Sequence, residues 1–228
     1  YGSRRMSRAL RALGYLVGRH QARTLMRQLQ LQVLPTRRFK VTTDSKHDHP
    51  VAPNILARAF DVAAPDRVWA GDITYLWTQQ GWLYLAVMID LYSRKVVGWS
   101  VEPHMTTALV KDALMMAVWR RRPTPGLIHH TDRGSQYASQ AYQAILKRHD
   151  MVCSMSRKGD CWDNAVVERF FRSLKTERTN HRLYRTRDEA KRDVINYIEM
   201  FYNSRRLHSY LGYLSPNEFE STGMKIAA

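Results

Sequence analysis

Cysteine is scarce in this sequence, with two residues, Cys153 and Cys161, in a chain of 228. Two thiols are too few for a disulfide framework, and neither has the Cys-x-x-Cys or Cys/His spacing of a zinc site. Long apolar runs are also missing, because the longest one, residues 83–89, ends at Asp90, far short of the roughly 20 residues of a membrane-spanning helix. No signal-peptide pattern is present. We therefore expect reduced thiols, no membrane partner and a cytoplasmic location.

Acidic residues are outnumbered, at 20 Asp and Glu against 36 Lys and Arg, which gives a net charge of +16. Such an excess predicts a polyanionic partner, with nucleic acid favoured over an anionic membrane surface. The excess is uneven, because residues 1–60 contain 12 basic and 2 acidic residues. This asymmetry predicts a basic DNA-contacting module in front of a different domain.

The N-terminal segment shows the spacing of two short helices separated by a break between Gly14 and Gly18. Their apolar stripes are Met6, Ala9, Leu10 and Leu13, then Ala22, Leu25, Met26 and Leu29. The candidate DNA-contacting residues of the second helix are Arg19, His20, Arg23, Thr24 and Arg27. We predict a helix-turn-helix module over residues 1–45, the alternative being a basic helical hairpin that packs on its own protein. Residues 46–66 are predicted as a linker, with one short helix near residues 54–60.

The next segment is rich in Val, Ile, Tyr and Trp, which predicts a three-strand antiparallel meander over residues 68–78, 82–90 and 95–101. A helix (107–121), a strand (127–131), a helix (139–148), a strand (151–154) and a helix (164–176) follow. This order predicts an α/β, ribonuclease-H-like core over residues 67–180, with a mixed five-stranded sheet and helices. A capping box, Thr186-x-x-Glu189, opens a helical C-terminal extension over residues 181–228, whose apolar face is Ala190, Val194, Tyr197, Ile198 and Phe201.

Three acidic residues lie where this element order brings them together: Asp72 within the first strand, Asp132 after the fourth, and Glu168 in the last core helix. Phosphodiester chemistry needs a stabilised attacking and a stabilised leaving oxygen, which two magnesium ions provide. Magnesium prefers carboxylate oxygens. Most acidic side chains are solvated surface groups, but the apolar strand around Asp72 argues against that reading for this residue.

The last core helix carries the stripe Val167, Phe170, Phe171 and Leu174, which is expected to pack on the sheet. Glu168, Arg172 and Lys175 lie along its flank. A carboxylate for metal and two cations for DNA phosphate are therefore predicted on one ridge beside the core.

Several motifs closely resemble those of one known family. They are Trp-Ala-Gly-Asp-Ile-Thr-Tyr (69–75), His-Thr-Asp-Arg-Gly-Ser-Gln-Tyr (130–137) and Asn-Ala-Val-Val-Glu-Arg-Phe-Phe (164–171). These resemble the integrase-core motifs of bacterial insertion-sequence transposases, of the OrfB type found in the third, two-frame family. The 35 residues between Asp132 and Glu168, the signature within residues 202–216 and the start at residues 1–5 agree with that family.

The resemblance implies a DNA transposase dependent on Mg²⁺ or Mn²⁺, associated with the bacterial nucleoid, that cleaves and transfers strands at inverted-repeat ends. It implies that Asp72 bridges two ions and that Asp132 and Glu168 each complete one. Lys175 stands at the position of the family's basic residue. Double-stranded DNA, both element ends and target, is the implied partner, with a homo-oligomer acting in the DNA complex. In this family an upstream frame is usually fused by frameshifting, and the match does not extend to it.

Two other functions are compatible with parts of the pattern. A DNA-binding repressor with an inactive core would share the basic module, but the intact acidic residues argue against it. A ribonuclease-H-like nuclease without strand transfer would share the core, whereas the basic module and the C-terminal signature favour transposition.

Other conspicuous side chains are expected to be structural. Asp90 shares a face with Asp72 by strand parity, yet a turn with Ser93 and Arg94 is the preferred role. Helix capping accounts for Asp160 or Asp163.

Three ring-bearing residues lie near the predicted site. One of the pair His129 and His130 is expected to pack inside the sheet. Trp162 is expected to be buried, base stacking being the alternative.

Overall fold

The computed structural model describes residues 1–33, 50–157 and 161–223. Its helices are α1 (Ser3–Ala12), α2 (Arg19–Gln28), α3 (Thr107–Arg121), α4 (Ser135–Ala138), α5 (Gln140–Arg148), α6 (Ala165–Glu177), α7 (Arg187–Asn196) and α8 (Pro216–Thr222). Its strands are β1 (Val68–Thr78), β2 (Gly81–Asp90), β3 (Val96–Glu102), β4 (Ile128–Thr131) and β5 (Val152–Met155). The element order predicted for the core is confirmed, with α4 as an additional short helix.

The five strands form one mixed sheet in the order β3-β2-β1-β4-β5. β1, β2 and β3 form the antiparallel meander, and β4 and β5 run parallel to β1. Gly81 has a φ of +99° at the β1–β2 turn, which only glycine adopts without strain. β4 pairs with β1 over residues 68–70, so the rest of that edge of β1 extends past β4.

Helices cover both faces of the sheet. One face packs on α6 and α7 through Val167, Phe170 and Val194, and the other packs on α3 and α5. α3 lies directly on β3, because a Cβ at Gly98 would come within 2.2 Å of the Ala113 carbonyl oxygen. The whole predicted stripe of α6 is buried, which confirms its packing on the sheet.

The N-terminal helices α1 and α2 pack against each other as predicted. Their shared core is smaller than the sequence suggested, because Ala22 and Met26 are buried while Leu25 and Leu29 are 39% and 68% exposed. The pair of helices is held by a few contacts, including the Ser7 hydroxyl, which donates to the Val17 carbonyl at 2.7 Å.

α1 also contacts the C-terminal part of the chain. The Leu207 amide donates to the Tyr1 hydroxyl at 3.0 Å, and Arg5 lies 3.8 Å from Glu177 at the end of α6. The Arg8 guanidinium lies 5.1 Å from the ring centre of Tyr213. The N-terminal module is therefore docked on the end of the helix that carries Glu168.

The helix predicted near residues 54–60 is wrong. This segment is a turn, in which the Asn54 side chain accepts from the Ala57 amide and Ala57 and Arg58 have positive φ. The Ser154 hydroxyl of β5 accepts from the Ile55 amide at 3.0 Å. Contacts with the core replace the helical hydrogen bonds. The part of the predicted linker before residue 50 lies outside the described residues.

The predicted capping box of α7 is half formed. The Thr186 hydroxyl accepts from the Glu189 amide, but the Glu189 carboxylate accepts from the Arg185 amide instead of returning to Thr186. A reciprocal box, which the sequence reasoning did not identify, starts α8 with Ser215 and Glu218. Among the described residues, no helix has the length and apolar character needed to cross a bilayer.

Candidate active site

The three predicted acidic residues come from three separate elements near one edge of β1. Asp72 is in the middle of β1, just past the residues that pair with β4. Asp132 follows the last residue of β4, and Glu168 is in the first turn of α6. Because Asp72 is opposite Val87 in the sheet, it shares the face on which α6 packs.

The carboxylates of this group influence one another. Burial raises the pKa of Asp72 well above its ordinary value, and the charges of Asp132 and Glu168 raise it further. The backbone amide of Ile73 and the charge of Lys175 act in the opposite direction. Burial also raises the pKa of Glu168, against the charge of Arg172. The carboxylates therefore repel one another, and bound cations would reduce this repulsion.

Backbone contacts orient the two aspartates. The Ile73 amide donates to Asp72 Oδ1 at 2.7 Å, and the Gly134 amide donates to Asp132 Oδ1 at 2.9 Å. A Cβ at Gly134 would lie 3.0 Å from Asp132 Oδ1, so a larger residue would crowd that carboxylate. This contact accounts for glycine at position 134.

The start of α6 is tied to β1 beside Asp72. Asn164, which is buried and precedes the helix, donates from Nδ2 to the Gly71 carbonyl at 3.2 Å. The contact sets the end of α6 that carries Glu168 against the strand that carries Asp72. Asn164 was absent from the predicted site residues, although it belongs to the motif of residues 164–171.

The donor set suits a hard divalent cation, because all three candidate ligands are carboxylates, and burial together with the charges of Asp132 and Glu168 raises the pKa of Asp72. Within residues 1–33, 50–157 and 161–223, no three His, Cys, Asp or Glu side chains converge closely enough to hold one ion together. The acidic residues lie near one another but do not form a complete set of ligands around one ion. Their assignment as ligands stays a prediction.

Lys175 lies on the same flank of α6 as Glu168, two turns further on. Its Nζ is 4.8 Å from the ring centre of Tyr75. Burial lowers the pKa of Lys175, and the charge of Asp72 opposes that effect. The lysine is thus close to the acidic group, whereas Arg172 on the same ridge is exposed.

Tyr137 is a residue that the sequence reasoning missed. It is 1% exposed on α4, and its hydroxyl has no hydrogen-bond partner in the part of the chain that the structure describes. Burial and then the charge of Asp72 raise its pKa well above the ordinary value. Its place five residues after Asp132, in the motif of residues 130–137, was the available signal.

Asp90 has the structural role that was preferred for it. It is fully buried, and it accepts from the Ser93 amide at 2.9 Å and the Asp66 amide at 2.7 Å. Burial raises its pKa to about 6. The expectation that it shares a face with Asp72 is wrong, because Asp90 pairs with Trp69, which points to the opposite face.

Asp163 is an anchor and does not cap α6. Its buried carboxylate accepts from the side chains of Arg157, Arg58 and Asn54. The hydrogen bonds from Arg157 hold its pKa well below the ordinary value despite burial. It therefore ties the segment before the core to the loop before α6. Asp160, the other capping candidate, lies outside the described residues.

Both histidines of β4 are packed inside, where one was expected. His130 is bonded to the Ser154 and Ser156 hydroxyls, and His129 lies 3.0 Å from the Tyr142 hydroxyl. Burial lowers the pKa of His129 to about 3 and that of His130 to about 4, so both are neutral.

The remaining candidates are at the surface. Trp162 is 69% exposed, so the expectation that it is buried is wrong. All five candidates on α2 are exposed, namely Arg19, His20, Arg23, Thr24 and Arg27. Their exposure among the described residues leaves all five accessible to a DNA duplex.

Two family descriptions match the chain. Models of the integrase core domain match residues 62–161 and 149–216, and a model of an HTH-like domain matches residues 1–39. Transposase InsF of insertion sequence IS3A from Escherichia coli K12 is 47% identical over 224 residues, covering 98% of this chain and 78% of that protein. An uncharacterized 31 kDa protein of insertion element IS600 from Shigella sonnei is 44% identical over 228 residues, covering 100% and 84%.

Solved structures resemble the fold. A chain of the simian T-cell lymphotropic virus intasome with PP2A subunit B56 gamma has a TM-score of 0.58 at 17% identity, over 94% of this chain and 70% of that chain. The catalytic core of BIV integrase has a TM-score of 0.51 at 19% identity, over 69% and 95%. The HTLV-2 integrase core in complex with magnesium has a TM-score of 0.50 at 18% identity, over 68% and 97%. These similarities confirm the predicted integrase-type core fold.

Proposed function

We propose, from the premise that this chain belongs to the IS3 family of insertion-sequence transposases, that it cleaves DNA at the inverted-repeat ends of its element and joins those ends to target DNA. The observation that carries the proposal is the gathering of Asp72, Asp132 and Glu168, from three elements, beside one open edge of β1. Lys175 adds a cation at the same place.

Asp72 would hold two divalent ions in common, and Asp132 and Glu168 would each complete the ligands of one. Bound there, Mg²⁺ or Mn²⁺ would stabilise charge on the attacking and leaving oxygens of the phosphodiester. The magnesium in the HTLV-2 integrase core supports this choice of ion. The backbone contacts of Asp72 and Asp132 would keep both carboxylates oriented as the ions bind.

The two groups of basic residues would contact different parts of the DNA. Arg19, His20, Arg23, Thr24 and Arg27 of α2 would read the element end, because they form an exposed face of a helix-turn-helix. Arg172 and Lys175 would hold phosphates near the cleaved bond, where they set register without reading bases. Two element ends have to be joined together, so we propose that the active form contains at least two copies of the chain.

A strand-transfer assay tests the function. The purified transposase is incubated with a labelled element-end duplex and a target duplex, in Mg²⁺, in Mn²⁺ and in EDTA. We expect joined products with either ion and none with the chelator, since hard-oxygen sites depend on these ions.

Each departure from that result has a definite meaning. Cleavage without joined product would replace transposition by a nuclease function. Full activity in EDTA would overturn the metal mechanism, and a scrambled end joined as well as the true one would overturn end recognition.

Substitutions in the two sets of basic residues should have different effects on DNA binding. Arg23→Ala with Arg27→Ala should remove about tenfold or more of the preference for element ends over random duplex, since a base contact contributes about 1–3 kcal/mol. Lys175→Ala should weaken binding to all DNA sequences equally and reduce the slope of log affinity against log salt by about 1. Lys147→Ala, an exposed lysine on α5, is the control. If the slope of log affinity against log salt is the same for Lys175→Ala as for the control, Lys175 does not contact a DNA phosphate.

A further inference from the structure

Four aromatic side chains lie together at the turn end of the β1–β2 hairpin. Tyr75 and Trp77 on β1 are opposite Tyr84 and Trp82 on β2, so alternation places all four on one face of the sheet. We call these four residues the aromatic platform. Its tip is open, because Trp77 is 57% and Trp82 44% exposed.

The rings are held in place by one another. Trp77 and Trp82 meet edge to face with 4.8 Å between ring centres, and Tyr75 and Trp82 do so at 5.0 Å. Tyr84 packs on the cluster that α3 and α5 form over the same face. The exposed rings are therefore supported from beneath and preorganised for a flat ligand.

A cation lies at each side of the aromatic platform. Lys175 Nζ is 4.8 Å from the ring centre of Tyr75. Arg187 Nε donates to the Trp82 carbonyl at 3.2 Å, and a Cβ at Gly81 would meet its Nη2 at 3.2 Å, so the guanidinium lies across the hairpin turn. Flat rings flanked by cations fit a nucleobase between two phosphates.

The aromatic platform and Asp72 lie on opposite faces of β1, because Tyr75 and Trp77 are three and five residues beyond Asp72, and they approach each other at the open edge of that strand. Lys175 of α6 links them there, since its Nζ is 4.8 Å from the ring centre of Tyr75 and the charge of Asp72 acts on its pKa. Five strand residues span about 16 Å, the length of about five nucleotides of a duplex strand. A DNA strand that runs from the acidic residues along the open edge of β1 would reach Trp77 within that distance.

We propose that the aromatic platform binds an unpaired nucleobase of the DNA strand held in the active site, about five nucleotides from the cleaved bond. A base within a duplex has both faces covered by its neighbours, so stacking on Trp77 or Trp82 selects a base that has left the helix. The cations at both sides favour DNA over a second copy of this basic chain. The inference rests on the proposed strand cleavage and joining.

The experiment measures binding, without catalysis, in the full chain. Element-end duplexes with a mismatched pair placed two to eight nucleotides from the cleavage point are compared with the fully paired duplex, in EDTA. We expect about tenfold tighter binding when the mismatch is near the fifth nucleotide. Trp77→Ala with Trp82→Ala should abolish this preference and leave the affinity for paired duplex unchanged.

Two variants serve as controls. Trp119→Ala removes a tryptophan that is 76% exposed on α3 and should keep the preference. Trp77→Phe with Trp82→Phe retains flat rings and should restore most of it. An unchanged preference in the double alanine variant would overturn the proposal. If the oligomeric state of this variant changes in sedimentation while its preference for the mismatch stays intact, the proposal is overturned as well. Because binding is measured without turnover, failure of strand joining is scored separately.

Discussion

Replacing Glu168 with Gln should lower strand cleavage and joining by about a thousandfold or more. Charge stabilisation by a bound metal contributes several kcal/mol to such a transition state, and each 1.36 kcal/mol changes the rate tenfold. Glutamine keeps the shape of the side chain, and the buried stripe of α6 is not touched. The measurement is the initial rate of joining with saturating element-end DNA.

The matched control is Glu102→Gln, a half-exposed glutamate at the end of β3. We expect this variant to keep the rate and the Glu168→Gln variant to keep its affinity for the element end. A further readout is the Mn²⁺ concentration at half-maximal rate, which should rise in any residual activity. Wild-type turnover by Glu168→Gln would remove this residue from the site.

Replacing Arg206 with Ala should destabilise the protein by about 3 kcal/mol, because it leaves the largely buried carboxylate of Glu177, whose side chain is 21% exposed, without its main partner. The Arg206 side chain is 7% exposed, with its Nη2 2.7 Å from Glu177 Oε1 and its Nε 2.8 Å from Glu177 Oε2. It also donates to the Ser173 hydroxyl of α6. For a chain of this size the melting temperature should fall by about 10 °C.

Arg205→Ala, at the exposed neighbouring position, is the control and should melt like the wild type. A melting temperature equal to that of the control would show that the pair contributes nothing to stability.

The same pair makes stability depend on pH. Burial alone would raise the pKa of Glu177, but its bonds with Arg206 hold the pKa below the ordinary value of 4.5. A carboxylate with a lowered pKa in the folded state stabilises that state above its unfolded pKa. The stabilisation is therefore complete near neutral pH and is lost as the pH falls below about 4.5.

The stripe of α6 and the alternation along β1 were readable because they depend on residues a few positions apart. Val167, Phe170 and Phe171 repeat at helical spacing, and packing on the sheet follows from that spacing alone. The candidate acidic residues were found in the same way, since Asp72 interrupts an apolar strand and Glu168 sits beside an apolar stripe. The net charge of +16 likewise needed no structure to indicate DNA.

The predictions that were wrong concern features that depend on contacts between residues far apart in the chain. The face of Asp90 depends on the register of β2 against β1, and a register that pairs it with Trp69 turns it away from Asp72. Residues 54–60 resemble a short helix locally, yet Ser154 and Asp163, about a hundred residues away, satisfy their polar groups in a turn.

Local periodicity by itself therefore determined the order of the elements, the acidic candidates and the charge that suits DNA. The tertiary structure alone decided which of those side chains face one another, including the meeting of Lys175, Tyr75 and Asp72 at the edge of β1. The physical reason is that a helix or strand pattern records which face is apolar. Register and loop contacts depend on partners far along the chain, which no local window contains.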